Sequence, residues 1–255
     1  MGGLDWLWLI LAGFGGGLVG SVAGLASLVS YPALLAVGLP PVTANVSNTV
    51  ALVFSSLGAV WGSRPELTGQ RARVRHLGYV AIAGGITGAV LLLATPSTAF
   101  AKVVPWLIGV ASLGILIPRR PSPQVAAAAR SGGHHPPGVV VVLAVFVVAV
   151  YGGYFGAGAG VLLLSILLIT TAETLARSNA MKNVLLGLAN GMAAALFVFF
   201  GPVRWSAVIP LAIGFFVGGR LGPGVVRRAP AGPLRLVIAC GGLGLAVHLG
   251  LDAYG

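Results

Sequence analysis

Residues Val150–Thr170 read VYGGYFGAGAGVLLLSILLIT, an apolar run in which five of the nine residues from Gly152 to Gly160 are glycine. Inside a helix each glycine costs about 1 kcal/mol relative to alanine, so the cluster argues against one continuous helix. It reads as two short helical pieces joined by a turn within the hydrophobic layer. Backbone that is not helical survives at membrane depth only where protein or a water-filled cavity satisfies its N–H and C=O groups. Broken helices also leave free N–H groups and a positive dipole end, which suit an anion. Close helix packing through small residues is the competing reading, and Gly156-x-x-x-Gly160 fits it equally well.

The rest of the chain puts this segment in lipid. Of 255 residues, 57% are hydrophobic and 7% charged, with a mean hydropathy of +1.01. A soluble domain carries close to a quarter charged residues. Apolar runs of roughly 15 to 20 residues, separated by short Arg, Pro and Gly clusters, describe an all-α polytopic membrane protein. The formal charge of +11 does not describe a nucleic-acid surface, because the basic residues lie in the gaps between hydrophobic runs rather than on one patch. The single cysteine, Cys240, excludes an intrachain disulfide and reads as a small core residue. The start, MGGLDWLWLILAG, has no basic n-region, so the first segment is expected to belong to the mature fold. It also lacks the Ser or Thr at position 6 of a myristoylation signal.

The chain repeats itself. Gly16, Gly17, Gly20 and Gly24 coincide with Gly152, Gly153, Gly156 and Gly160 at one offset; Gly84, Gly88 and Gly114 coincide with Gly214, Gly218 and Gly244 at a second. The expected organisation is therefore a first transmembrane repeat at 1–117, a linker at 118–137 and a second repeat at 138–255. Basic residues cluster at Arg64 to Arg75, Arg119 to Arg130, Arg177 with Lys182, and Arg220 to Arg235, leaving only Lys102 and Arg204 in the other gaps. With the rich gaps cytoplasmic, the halves run antiparallel and both termini face outside. Inverted repeats of this kind mark secondary transporters. Each half is expected to hold about three full transmembrane helices plus a glycine-broken pair of short ones, about 8–10 membrane segments in all. The short pieces, 4–20 and 24–39, then 138–152 and 157–171, are tight crossings or re-entrant hairpins. The hairpin is favoured because the glycines sit at the turn.

Polar residues follow each broken pair at matching places. TANVSN runs from Thr43 to Asn48 and RSNAMKN from Arg177 to Asn183, each opening the third segment of its half. Such side chains either cap a helix facing water or supply donors to a ligand at the glycine turn. Lys182 is either a functional intramembrane cation or a lysine snorkelling to the surface. Glu173 is the one acid expected near the core, and Thr170-x-x-Glu173 also has the spacing of a capping box. GGGLVG at 15–20 matches a dinucleotide fingerprint but lacks the strand before it and the acid after it. His134 and His135 have no ligating neighbours in sequence, so neither a metal nor a cofactor is expected. No nucleophile–base set is visible, and the protein is not expected to be an enzyme.

At these residues the sequence resembles the TauE/SafE-like sulfite exporter permeases. The carriers are GLVGSVAGLASLVSYPALLAVGLPPVTANVSN and its second version, GGYFGAGAGVLLLSILLITTAETLARSNAMKN. Ser21-Val22-Ala23 departs from the denser glycine run usual there, and Leu168 stands where Pro32 would fall. The resemblance implies an inner-membrane permease that exports sulfite, a sulfonate or a related sulfur anion. The expected substrate site joins Gly20, Gly24, Ser47 and Asn48 to Gly156, Gly158, Gly160, Asn179, Lys182 and Asn183, with Glu173 as a candidate for coupling. Expected partners are a small anion and the bilayer; a homodimer is left open. A passive anion channel of the same architecture and a membrane scaffold are the alternatives.

Overall fold

The computed structural model describes residues 2–116, 138–171, 173–227 and part of 240–254. The expected linker 118–137 and the basic residues from Arg228 to Arg235 lie outside the described residues. The described residues form helices: α1 (Gly3–Ala23), α2 (Ala26–Ala36), α3 (Pro41–Gly62), α4 (Arg71–Ala94), α5 (Ser97–Leu116), α6 (Val139–Tyr154), α7 (Ala159–Thr170), α8 (Leu175–Phe200) and α9 (Trp205–Val226). Four of them, α1, α4, α8 and α9, are long and apolar enough to cross a membrane. The first piece of the first broken pair is thus longer than expected: at 21 residues α1 extends to roughly 31 Å. Only α2, α6 and α7 stay short, at 11, 16 and 12 residues.

Local chemistry sets the helix starts. Asp5 accepts from Gly2 N at 2.8 Å and places a carboxylate at the positive end of α1. Pro41 opens α3, where its missing N–H costs nothing. Thr174 caps α8 by accepting from Arg177 N at 3.3 Å. The expected Thr170–Glu173 capping box does not form. Thr170 donates back to Ile166 O within α7, and Glu173 is drawn to two arginines instead. Cys240, expected in the core, is exposed.

Glycine faces set the packing. On α1, Gly13 and Gly17 press against the backbone of α9, and Gly214 and Gly218 press back; on α4, Gly84 and Gly88 meet α6 in the same way. With lipid tails as apolar as leucine, such close backbone approach supplies the dispersion contacts that hold membrane helices together. The first helix of each broken pair therefore packs on a long helix remote in sequence. Tyr31, Phe100 and Phe155, all buried, fill the centre with edge-on ring contacts.

Candidate functional site

The glycines of the opening stretch divide between the two readings. Gly153 is a packing glycine, since a Cβ there would fall 2.5 Å from Gly85 O. Gly156 and Gly158 are turn glycines with φ of 76° and 77°, as is Gly24 after α1 with φ of 78°. L side chains rarely adopt that region. The α1–α2 and α6–α7 turns then meet backbone to backbone, with a Cβ on Gly160 falling 2.5 Å from Gly24 Cα.

Beside this contact lies a cavity of about 40 Å³, room for about three waters. Gly20, Ser21 and Gly24 from the first turn line it, with Gly152, Gly156 and Gly160 from the second. Ser27 on α2, Ser55 and Ser56 on α3, and Asn183 and Asn190 on α8 complete its polar wall. Asn183 Nδ2 is a buried donor with no partner among the described residues, and leaving it so costs about 1–3 kcal/mol. A second, larger cavity of about 730 Å³ is lined by Val60, Leu67, Val74 and Val184 together with Arg71 and Arg75. Ala59 and Asn183 line the small cavity while their neighbours Val60 and Val184 line the large one, so the two flank α3 and α8 at the same level.

The structure thus brings Gly20, Gly24, Gly156, Gly160 and Asn183 to one cavity and leaves the other expected site residues outside its lining. Ser47, in the second turn of α3, accepts from Arg204 N at 2.9 Å. Asn48 clasps α2, accepting from Ser30 at 2.6 Å and donating to Ser27 at 3.1 Å. Gly158 caps the start of α7. Lys182 is fully buried and does not snorkel. Its ammonium donates to Gly20 O at 3.0 Å and Ser21 O at 3.2 Å, and Asn179 donates to Ser21 O at 2.8 Å. The lysine therefore meets the end of α1, not the nearby α6–α7 turn. Its charge sits against the negative end of that helix. Ser27, Ser55, Ser56 and Asn190 were missed because single polar residues inside apolar runs look like background. Their signal was that each interrupts a membrane segment.

Glu173 lies away from the cavity. It accepts from Arg177 at 2.6 Å and Arg73 at 3.2 Å, joining the starts of α8 and α4. Burial pushes its carboxyl up, but the Arg177 and Arg73 guanidiniums outweigh this and hold it below the usual 4.5. A depressed carboxyl contributes stability that is present above the unfolded value and lost as pH falls through the folded one. Glu173→Gln is accordingly expected to lower the detergent melting temperature at pH 7, with the gap to the wild type closing towards pH 3. A gap unchanged across that range would rule out the charged clasp. Glu66 makes a comparable clasp, accepting from Arg227 at 2.7 Å.

The sequence profile described as "Sulfite exporter TauE/SafE" matches residues 9–249. A "Probable membrane transporter protein ORF9" of Sinorhizobium sp is 23% identical over 249 residues, 96% of this chain and 92% of that protein. A "Probable membrane transporter protein" of Haemophilus influenzae is 25% identical over 228 residues, 88% of this chain and 86% of its own. The "Probable membrane transporter protein YfcA" of Escherichia coli K12 is 24% identical over 247 residues, covering 96% of this chain and 88% of that protein. No solved structure matches. With the profile covering nearly the whole helical chain, the protein belongs to the TauE/SafE sulfite exporter family of membrane transporters.

Proposed function

We propose that this protein is an inner-membrane secondary transporter that exports a small sulfur oxyanion or sulfonate, with the 40 Å³ cavity as its substrate site. The observation that carries this reading is the buried Asn183 Nδ2, without a partner among the described residues, in a cavity where two glycine turns meet. Serine hydroxyls and the Asn183 amide provide neutral donors, and Lys182 lends positive charge from behind the wall through α1. The 730 Å³ cavity, with Arg71 and Arg75, serves as the vestibule that gathers anions.

Two halves related by inversion, 1–117 and 138–255 about a linker at 118–137, account for the matching placement of α3 and α8. Asn45 and Asn179 are each the fifth residue of their helix, a register two residues shorter than the glycines suggest. The ion pairs support the proposed orientation. The α3–α4 turn and the starts of α4 and α8 join the end of α9 on one face through Arg73, Glu173, Arg177, Glu66 and Arg227. That basic face is cytoplasmic. Tyr254 donates to Lys102 O at 2.9 Å, in the first two turns of α5, which supports a C-terminus outside together with the N-terminus.

Proteoliposomes test the reading. Sulfite, thiosulfate or sulfoacetate flux should saturate, and sulfate should serve as the comparison oxyanion. Flux rising linearly with concentration would assign a channel, and no flux of any of the four would leave a scaffold. In the same vesicles, cysteines at Thr68 and Thr98, in a background without Cys240, should react with an impermeant thiol reagent from opposite sides. Same-side labelling would discard the orientation.

A further inference from the structure

Two helices, α1 and α6, each run into a glycine turn, at Gly24 and at Gly156–Gly158, and an asparagine from a distant helix meets each in the same way. Asn179 on α8 donates to Ser21 O at 2.8 Å, and Asn45 on α3 donates to Tyr154 O at 2.8 Å. Both amides are buried, Asn45 completely. Both leave Oδ1 without a hydrogen-bond partner among the described residues. Each orphan acceptor lies on the amide that touches a helix C-terminus, where carbonyl groups and the negative dipole end already gather.

Charge separates the two ends. Three residues beyond Asn179, Lys182 delivers an ammonium to Gly20 O and Ser21 O. Three residues beyond Asn45 stands Asn48, which is turned to Ser27 and Ser30 on α2. At the end of α6, Phe155 N and Gly156 N both donate to Tyr151 O, so neither satisfies the carbonyls of Gly152 and Gly153. This end therefore offers Asn45 Oδ1 and last-turn carbonyls, with no cation among the described residues supplied to it as Lys182 is supplied to α1.

We propose that the C-terminal end of α6 binds a small alkali cation through Asn45 Oδ1 and the last carbonyls of that helix, in the role Lys182 fills at α1. Carbonyl ends of interrupted helices are suited to sodium-sized ions. The neutral ligands favour a single charge over calcium or magnesium, which recruit carboxylates. Gly152 also lines the central cavity, so a cation here would sit beside the proposed anion and offset its charge. This goes beyond the anion-transport reading, and cation binding can be measured in detergent without any flux.

The test is the melting temperature of the purified full chain in N-methylglucamine chloride, titrated with sodium, lithium or potassium chloride at constant ionic strength. A saturable rise with at least one alkali cation is expected, as for any ligand bound only by the folded state. Asn48→Lys places an ammonium where Lys182 stands in the other helix and should abolish the response. Asn45→Asp adds a charge to the orphan acceptor and should shift half-saturation to about tenfold lower concentration, the equivalent of 1.4 kcal/mol. Asn45→Leu should remove the response; should that variant fail to fold, the aspartate and lysine variants decide the matter alone. A wild type indifferent to every alkali cation would overturn the proposal, as would an unchanged response in both Asn48→Lys and Asn45→Asp.

Discussion

Valine at Gly160 is expected to abolish transport and to lower the detergent melting temperature by roughly 6–12 °C, taking about 3 kcal/mol at 2–4 °C per kcal/mol for a chain of this size. A Cβ there would lie 2.5 Å from Gly24 Cα and 3.0 Å from Gly24 O. The obstacle is backbone, which cannot rotate aside as a side-chain tip can. Gly24 cannot retreat easily, because its φ of 78° is set by the turn that ends α1. Forcing the two turns apart would reshape the cavity both of them line. Gly191→Val is the control, since a Cβ at Gly191 meets nothing within 4 Å; it should melt close to the wild type and transport normally. Equal losses in the two variants would mean that any bulk in these helices is harmful and that the Gly24–Gly160 contact is not special.

Lys182→Met should have the second large effect. Methionine keeps most of the apolar stem but removes the ammonium from Gly20 O and Ser21 O. Hydrogen bonds to a charged group contribute about 1.5–3 kcal/mol, partly offset by the desolvation of a charge that no longer has to be buried. A net loss of about 1–2 kcal/mol leaves a folded protein. The functional cost should exceed it. A unit charge roughly 8 Å from a bound anion, at an effective dielectric of about 20, contributes about 2 kcal/mol, or ~30-fold in affinity. The readout is apparent affinity for the transported anion in liposomes, with melting temperature as the folding control. Lys182→Arg should recover part of the affinity. Unchanged affinity in Lys182→Met would reduce the lysine to a structural cap of α1.

Parts of this arrangement were legible in the residues. The turn after α6 was visible in Gly156-Ala157-Gly158, because only glycine accepts a φ of 76° or 77° without strain. The polar openings of α3 and α8 stood out as asparagine and serine following broken pairs. The length of α1 was misjudged, since Gly16, Gly17 and Gly20 looked like interruptions. In the fold they are close-packing positions within one helix, and its break comes only at Gly24. A glycine in a membrane segment carries no local mark that tells a hinge from a packing face. The tertiary neighbour decides.

By itself, then, the sequence determined that this is a helical membrane protein, that its second half breaks at the Gly156–Gly158 turn, and that polar residues open α3 and α8. These follow from composition and from backbone limits that act within a few residues. Tertiary structure alone decided which broken end each polar residue meets. Lys182 and Asn179 reach back to α1 across 162 and 158 positions, and Asn45 reaches forward to Tyr154 across 109. That exchange is set by the glycine faces that lock α1 onto α9 and α6 onto α4. Dispersion between close-packed backbones depends on the shape of both partners, and no single segment encodes the shape of its neighbour.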